Sequence, residues 1–197
     1  MNEEALTPER ILEASEDVLR RFGPTKATVV DVARALGVSH GSVYRHFPSK
    51  AALRDAVTEH WLERISAPLA AVAIEDGPAT ERLRRWLDLL VTSKRARAQE
   101  DPELFATYVE LTATAREVVK GHVGTLTGQL ARIIADGIAR GEFASTDPAT
   151  AGRAVFDATA RFHNPTHAPE WSDPGIDAAF EGVRSLVLRG LGTRAPA

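Results

Sequence analysis

Apolar side chains recur every three or four residues along almost the entire chain, which is the spacing of one face of an α-helix. The clearest run is Leu53, Val57, Trp61 and Ile65, and the last run extends from Ile176 to about Leu191. No stretch of useful length alternates between apolar and polar residues, as a half-buried strand would. The pattern therefore predicts an all-α protein of about nine helices.

Proline and glycine mark the expected ends of these helices. Gly23-Pro24 should end the first helix. Pro68 should kink or end the fourth, because an interior proline loses a hydrogen bond and clashes with the preceding turn. Asn164-Pro165 should break the eighth, and the charged stretch 94–101 is expected to form a solvated turn between the fifth and sixth helices.

Two short helical patterns between Thr28 and Lys50 are separated by Gly37-Val38-Ser39. Thr28 offers an N-cap hydroxyl to the first, and Asp31 stands at its third position, near the positive helix end. Gly37 can end that helix in the left-handed conformation without a Cβ penalty, and Ser39 caps the second. This spacing predicts a helix-turn-helix whose second helix enters the DNA major groove.

The second of these helices has a polar outer edge. Val43 and Phe47 are four residues apart and share the inward face, so the polar side chains cannot all turn inward. Those side chains are His40, Ser42, Arg45 and His46. From Ser39 to Lys50 there is no acidic residue, although the net charge of the chain is -3. Such a local basic strip favours contact with DNA phosphates, and an Arg45 fork can pair with guanine O6 and N7.

These residues resemble a known family. LGVSHGSVYRHFPSKAAL is similar to the DNA-reading half of TetR-type (tetracycline-repressor) bacterial transcription regulators, and TPERILEASEDVLRRFGPTKATVVDVA to their first helix and turn. The resemblance implies an N-terminal three-helix helix-turn-helix DNA-binding domain (1–50) and a C-terminal helical domain (51–197) for ligand binding and dimerisation. It implies a homodimeric, sequence-specific regulator of double-stranded operator DNA, most often a repressor. An activator of the same fold or a sequence-independent DNA-binding protein is the alternative.

The resemblance also implies roles for single residues of the helix-turn-helix. We expect phosphate contacts from Thr28, Ser39, Tyr44, His46 and Lys50. We expect four residues to lie near base edges: His40, Gly41, Ser42 and Arg45. Val29 completes the set of expected DNA-binding residues. Many relatives have Arg in place of Val30, so this chain lacks a phosphate or base contact expected there. The missing contact bears on which operator sequence is bound and not on the binding mode. From the residues alone, a half-buried core aromatic is the less favoured alternative for Tyr44, and a packing residue under the turn is the alternative for His46.

Aromatic and polar side chains also lie on the inner faces of the later helices. They are Trp61, Trp86, Phe105, Tyr108, His122, Phe156 and Phe162. Buried aromatics usually belong to the core. The resemblance nevertheless implies an effector cavity between these helices, and an apolar cavity with few polar groups favours a hydrophobic or aromatic small molecule.

The same resemblance implies that the last two helices pair with their counterparts in a second subunit. Small residues on these helices allow close approach, as in a four-helix interface. They are Ala151, Gly152, Ala154, Ala158, Ala179, Gly182 and Gly190. Ordinary packing within one chain is the alternative explanation for them.

Composition and motifs narrow the other function classes. The chain has no Cys, which excludes disulfides, thiolate metal sites and thiol catalysis. No nucleophile elbow, phosphate-binding glycine loop or zinc-protease motif is present, so we expect neither an enzyme nor a cofactor. No apolar run of membrane-spanning length and no leader pattern is found, so we expect a cytoplasmic protein.

One group of residues is compatible with a metal site. His163 and His167 are four residues apart, and Asp157 precedes them. Helical imidazoles at that spacing suit zinc, copper or nickel, but Pro165 between them breaks the helical geometry. Capping and loop hydrogen bonding are therefore the favoured use of these side chains.

Overall fold

The computed structural model describes residues 5–192. The ends of the chain, on which the expectation about a leader partly depends, lie outside this range. The helices are α1 (Pro8–Lys26), α2 (Val29–Leu36), α3 (His40–Tyr44), α4 (Lys50–Ile74), α5 (Ala79–Glu100), α6 (Pro102–Thr114), α7 (Arg116–Ala139), α8 (Pro148–Ala158), α9 (Ala160–His163), a 3-10 helix (Pro165–Glu170) and α10 (Ile176–Leu191). The all-α prediction is confirmed, with ten α-helices in the described range instead of about nine. No helix of this range is long and apolar enough to cross a lipid bilayer.

Local capping residues fix most helix ends where the sequence predicts them. The Thr28 hydroxyl accepts a hydrogen bond from the Asp31 N–H, and Gly37 ends α2 at φ 67°. Asp101 and Asp147 cap α6 and α8 through their carboxylates. Gly23, at φ 73° and ψ 166°, interrupts α1, as expected for a Gly-Pro pair.

Contacts divide the chain into two compact units. The first comprises residues 5–63 and Asp101–Lys120, and the second comprises Arg64–Glu100 and residues 121–192. In the first unit the core collects apolar side chains from α1, α2, α3 and α4; Ile11, Val32, Val43 and Val57 are at most 3% exposed. The start of α4 and all of α6 thus belong with the helix-turn-helix, and the functional boundary at residue 50 stays a prediction.

The second unit is built around α5 and α7. The side chains of Leu83, Trp86 and Leu90 on α5 and of Leu130 and Ile133 on α7 are completely buried. The connection after α7 is tied back to α5, because Glu142 accepts hydrogen bonds of 2.9 Å from the backbone N–H groups of Ala79 and Thr80. This carboxylate satisfies donors that the first turn of a helix leaves free.

Of the two expectations for Pro68, a kink or an end of α4, the end is wrong, because the helix continues to Ile74. A proline at this position deprives the Arg64 carbonyl of its usual N–H partner. The Arg97 guanidinium on α5 supplies a substitute, donating from Nη2 to the Arg64 carbonyl at 3.4 Å. Pro68 itself is exposed, so its ring displaces no side chain of the core.

The predicted solvated turn at 94–101 is also wrong. Helix α5 continues to Glu100, since the stretch contains strong helix formers and no glycine or proline before Asp101. Lys94 consequently lies on the buried face of α5 and is only 5% exposed.

The eighth helix breaks earlier than Asn164-Pro165. Helix α8 ends at Ala158, and the four-residue α9 follows after Thr159. The Thr159 hydroxyl donates to the Val155 carbonyl at 2.9 Å and also lies 3.2 Å from the Phe156 carbonyl. Such back-bonding bends helices, and Pro165 then begins the 3-10 helix.

Candidate nucleic-acid interface

The two helices of the predicted helix-turn-helix are held by reciprocal caps. The Thr28 hydroxyl accepts from the Asp31 N–H at 3.2 Å, and the Asp31 carboxylate accepts from the Thr28 N–H at 3.2 Å and from its hydroxyl at 2.6 Å. The hydroxyl bond, together with the backbone bond and nearby Arg34, lowers the pKa of Asp31. Asp31 therefore stays ionised at the positive end of α2.

The recognition helix is short and anchored by one side chain. Helix α3 spans only His40–Tyr44, and Val43 is 0% exposed, which seats the helix on the core. Ser39 caps it by accepting from the Ser42 N–H at 3.1 Å. Phe47, the predicted second anchor, is partly buried.

A chain of hydrogen bonds runs along the outer edge of α3. The hydroxyls of Ser39 and Ser42 lie 2.9 Å apart, and Arg45 donates from Nη2 to the Ser42 hydroxyl at 3.2 Å. On the same helix, the rings of His40 and Tyr44 meet edge to face with centroids 6.3 Å apart. The polar groups of the edge are thus held in place by bonds within the helix-turn-helix.

Most of the predicted contact residues are accessible to a partner. Tyr44 is 42% exposed, and Gly41, His46 and Lys50 are also exposed. The side chain of Val29 is buried, at 6% exposure, so only its main chain is available to DNA. At Thr28 a phosphate would have to compete with Asp31 for the hydroxyl proton.

The structure adds residues that the sequence patterns did not single out. A groove of about 500 Å³ beside α3 is lined by Ala5, Leu6, Arg10, Leu36, Gly37, Val38, Ser42 and Arg45. Arg10 is partly exposed, and its guanidinium donates to the Ala5 carbonyl at 3.1 Å. A positive charge in the first turn of a helix interacts unfavourably with the helix dipole. The position of Arg10 therefore indicates a role other than stabilising α1.

Val30 is 52% exposed in the first turn of α2. An exposed valine can contact a thymine methyl group but cannot make a phosphate contact. The inference that this chain lacks one of the charged contacts of the family it resembles stays a prediction.

The residues of the expected effector pocket fall into two groups. In the first unit the rings of Trp61 and Tyr108 stack with centroids 4.3 Å apart, and Phe105 lies 6.4 Å from Trp61. All three are buried. These contacts make them a continuous aromatic cluster within that unit.

The other four expected pocket residues belong to the second unit. Trp86 is fully buried and donates its indole N–H to Gln129 at 2.9 Å, and the ring of Phe162 packs 5.2 Å from that of Phe180. Phe156 and His122 are partly exposed. Burial in apolar surroundings, together with the nearby Lys94 charge, lowers the pKa of His122 to about 3.

The two histidines of the possible metal site have other partners. His163 is buried, and its Nε2 lies 3.2 Å from the Phe156 carbonyl and 3.3 Å from the Thr159 hydroxyl. His167 pairs through Nδ1 with Glu170 at 2.7 Å. Among residues 5–192 no group of three or more metal-ligating side chains is assembled.

Comparisons with known proteins place both halves of the chain in one family. Residues 11–57 match the model of bacterial regulatory proteins of the tetR family, and residues 79–184 match that of the tetracyclin repressor-like C-terminal domain. Nucleoid occlusion factor SlmA of Vibrio atlanticus is 36% identical over 89 residues, which are 44% of this chain and 45% of that protein. SlmA of Vibrio vulnificus is 33% identical over 97 residues. The chain thus spans about half the length of the curated relatives it matches.

Solved structures show the same fold over nearly the whole chain. A TetR transcription regulator from Haloarcula marismortui aligns with a TM-score of 0.72 at 22% identity, covering 94% of this chain and 98% of that one. SmeT, the repressor of the Stenotrophomonas maltophilia multidrug efflux pump SmeDEF, aligns with a TM-score of 0.71 at 18% identity, covering 96% and 92%. At these identities the likeness concerns the fold.

Proposed function

Because the chain belongs to the TetR family of DNA-binding transcription regulators, we propose that it is a homodimeric repressor that leaves its operator when a small-molecule effector binds. The DNA-binding role is supported by the exposed edge of α3, which has no acidic residue. Hydrogen bonds already join Ser39, Ser42 and Arg45 along this edge. Side chains fixed in advance lose less conformational entropy on binding.

Within this proposal the residues divide by the part of DNA they contact. Arg45 reads a base edge, with Ser42 orienting its guanidinium, whereas Tyr44, His46 and Lys50 hold the phosphate backbone. Val29 contributes through its main chain only. Arg10 joins the set because it lines the same groove as Ser42 and Arg45.

Dimerisation is assigned to α8 and α10. Leu186 on α10 is 64% exposed, and among the described residues a Cβ added at Gly182 or Gly190 would meet nothing within 4 Å, so packing within residues 5–192 does not require these glycines. Gly in a helix interior is unfavourable unless something approaches closely, which the same helices of a second subunit would do. Gly152 differs, since an added Cβ would lie 2.9 Å from the Ala131 N atom on α7.

Two such subunits would place their recognition helices about 34–36 Å apart on successive major-groove faces of a near-palindromic operator. Effector binding releases the DNA by favouring a state in which this spacing no longer fits. The effector can shift that equilibrium only by its different affinity for the two states.

The proposal is tested by selecting bound sites from random duplex DNA with the purified protein at physiological salt. We expect a palindromic motif for the wild type, a relaxed preference at one or two positions for Arg45→Ala, and uniformly weaker binding for Lys50→Ala. Arg85→Ala is the matched control, because Arg85 pairs with Glu75 on the surface of the second unit.

Absence of any enriched motif, or equal losses on selected and random DNA for Arg45→Ala and Lys50→Ala, would contradict the specific role of α3. A promoter-reporter assay with the selected motif then decides the sign of regulation. Higher expression in the absence of the protein supports a repressor, and lower expression supports an activator of the same fold.

A further inference from the structure

Helix α4 has a weak point close to the place where the chain passes from the first compact unit to the second. The division falls inside this helix, between Glu63 and Arg64. Pro68 follows four residues later and has no N–H, so the Arg64 carbonyl loses the partner that an unbroken helix provides. Sharp bends of helices occur mainly at such prolines. The backbone between residues 64 and 68 is therefore the part of α4 that bends most easily.

Two side chains from other helices donate hydrogen bonds to carbonyl groups of this stretch. Arg97 on α5 donates from Nη2 to the Arg64 carbonyl at 3.4 Å, and Gln129 on α7 donates from Nε2 to the Ser66 carbonyl at 3.1 Å. All four residues belong to the second unit. Because a bend of α4 would move these carbonyl groups away from their donors, both bonds oppose bending.

The carboxamide of Gln129 is held from two sides. Trp86 on α5 is fully buried and donates its indole N–H to Oε1 of Gln129 at 2.9 Å. An indole can only donate a hydrogen bond, and a main-chain carbonyl can only accept one. The oxygen of the carboxamide therefore faces Trp86 and its nitrogen faces Ser66, since the opposite orientation would satisfy neither partner. One side chain thus joins α5 and α7 to α4 at the weak point.

We infer that residues 64–68 of α4 are a hinge that Gln129 keeps closed, which makes Gln129 a positioning residue for DNA binding. The inference rests on the proposed function, because it names the step by which a change in the second unit alters the spacing of the recognition helices. Lys50, an expected phosphate contact, is the first residue of the same helix. A shift of α7 that separates Gln129 from Ser66 lets α4 bend, and the DNA-reading helices lose the spacing that the operator requires.

Gln129→Glu tests the hinge with little change in side-chain size. At pH 8 the carboxylate still accepts from Trp86, but it has no hydrogen to donate to the Ser66 carbonyl. Loss of one net hydrogen bond changes an opening equilibrium by about threefold to tenfold. We therefore expect backbone amides between residues 66 and 72 to exchange hydrogen at least about threefold faster than in wild type, measured by mass spectrometry. Gln99→Glu is the control, because Gln99 is exposed on α5.

Pro68→Ala separates a hinge from a purely structural role of Gln129. This substitution restores an N–H that can donate to the Arg64 carbonyl, so α4 no longer has a weak point. Compared with Pro68→Ala alone, the double variant with Gln129→Glu should show no faster exchange in α4. A structural role alone would give the same effect of Gln129→Glu with and without Pro68. Gln129→Met, which is uncharged and of similar length, replaces Gln129→Glu if the carboxylate prevents folding.

DNA binding is then measured at pH 8 with the operator obtained by site selection. Gln129→Glu should raise the dissociation constant at least about threefold, and this effect should also disappear in the Pro68→Ala background. The inference is overturned if exchange in α4 or operator affinity is unchanged in Gln129→Glu, or if either effect persists in that background. If site selection yields no motif, the proposed function fails, and the exchange measurement, which needs no DNA, still decides whether the hinge exists.

Discussion

Replacing Lys94 by Met should stabilise the protein at neutral pH. Each tenfold change in proton affinity corresponds to about 1.4 kcal/mol. Because the pKa of Lys94 falls from 10.5 to about 8 on folding, keeping this lysine charged costs the native state about 3 kcal/mol at pH 7. Methionine has a similar length and no charge, so Lys94→Met removes this cost and adds buried apolar surface.

The pH dependence gives this prediction a definite sign. Between pH 8 and 10.5 the unfolded chain binds the Lys94 proton more tightly than the native protein does, so wild-type stability rises as pH rises through this window. Below pH 8 the native state bears the whole free-energy cost of the charged Lys94 side chain. The advantage of Lys94→Met should therefore shrink by about 2 kcal/mol between pH 7 and pH 10.

Urea unfolding followed by circular dichroism measures both quantities. Comparison of the variant with wild type at each pH cancels the titration of all other groups, and Lys120→Met reports the effect of removing an exposed lysine. An advantage of Lys94→Met that is the same at pH 7 and pH 10 would refute the reasoning. So would a variant less stable than wild type at pH 7.

Three further predictions concern a cap, a histidine and the dimer. Thr28→Ala should lower the free energy of unfolding in urea by about 1 kcal/mol, because it removes the reciprocal cap of α2, and Thr28→Ser should recover most of this loss. A Thr28→Ala variant as stable as wild type would contradict this role of the cap. Burial lowers the pKa of His163 from 6.5 to about 4, so wild-type stability is complete above pH 6.5 and falls towards pH 4. His163→Gln should reduce this loss by about 2 kcal/mol between pH 7 and 4.5, whereas equal losses in both proteins would exclude His163 as its source. Leu186→Glu on α10 should raise the dimer dissociation constant at least about tenfold, measured by sedimentation equilibrium. Ile74→Glu is the control, because Ile74 is also exposed, at 61%, and should leave the dimer unchanged. Equal effects of the two variants would contradict the assignment of α10 to the dimer interface.

The helix-turn-helix could be predicted almost completely from the sequence. Thr28, Asp31, Gly37 and Ser39 act through bonds within one helical turn, so their effect does not depend on the rest of the chain. The last helix, Ile176–Leu191, also has the predicted bounds, although no side-chain cap begins it. The burial of Val29 follows from the packing of α2 and could not be inferred from its neighbours alone.

Other features were decided only by the tertiary structure. Proline normally ends a helix, but α4 passes Pro68 because Arg97, 33 residues beyond Arg64, donates to the orphaned carbonyl. Lys94 is charged and lies in a polar stretch, yet it is only 5% exposed. Sequence alone thus determined the fold class, the family and the DNA-reading helices, because their signals are local. The burial of Lys94 and of the His122 Nε2 atom, which has no hydrogen-bond partner among the described residues, depends on packing between segments far apart in the chain. Periodicity and capping residues do not encode such packing.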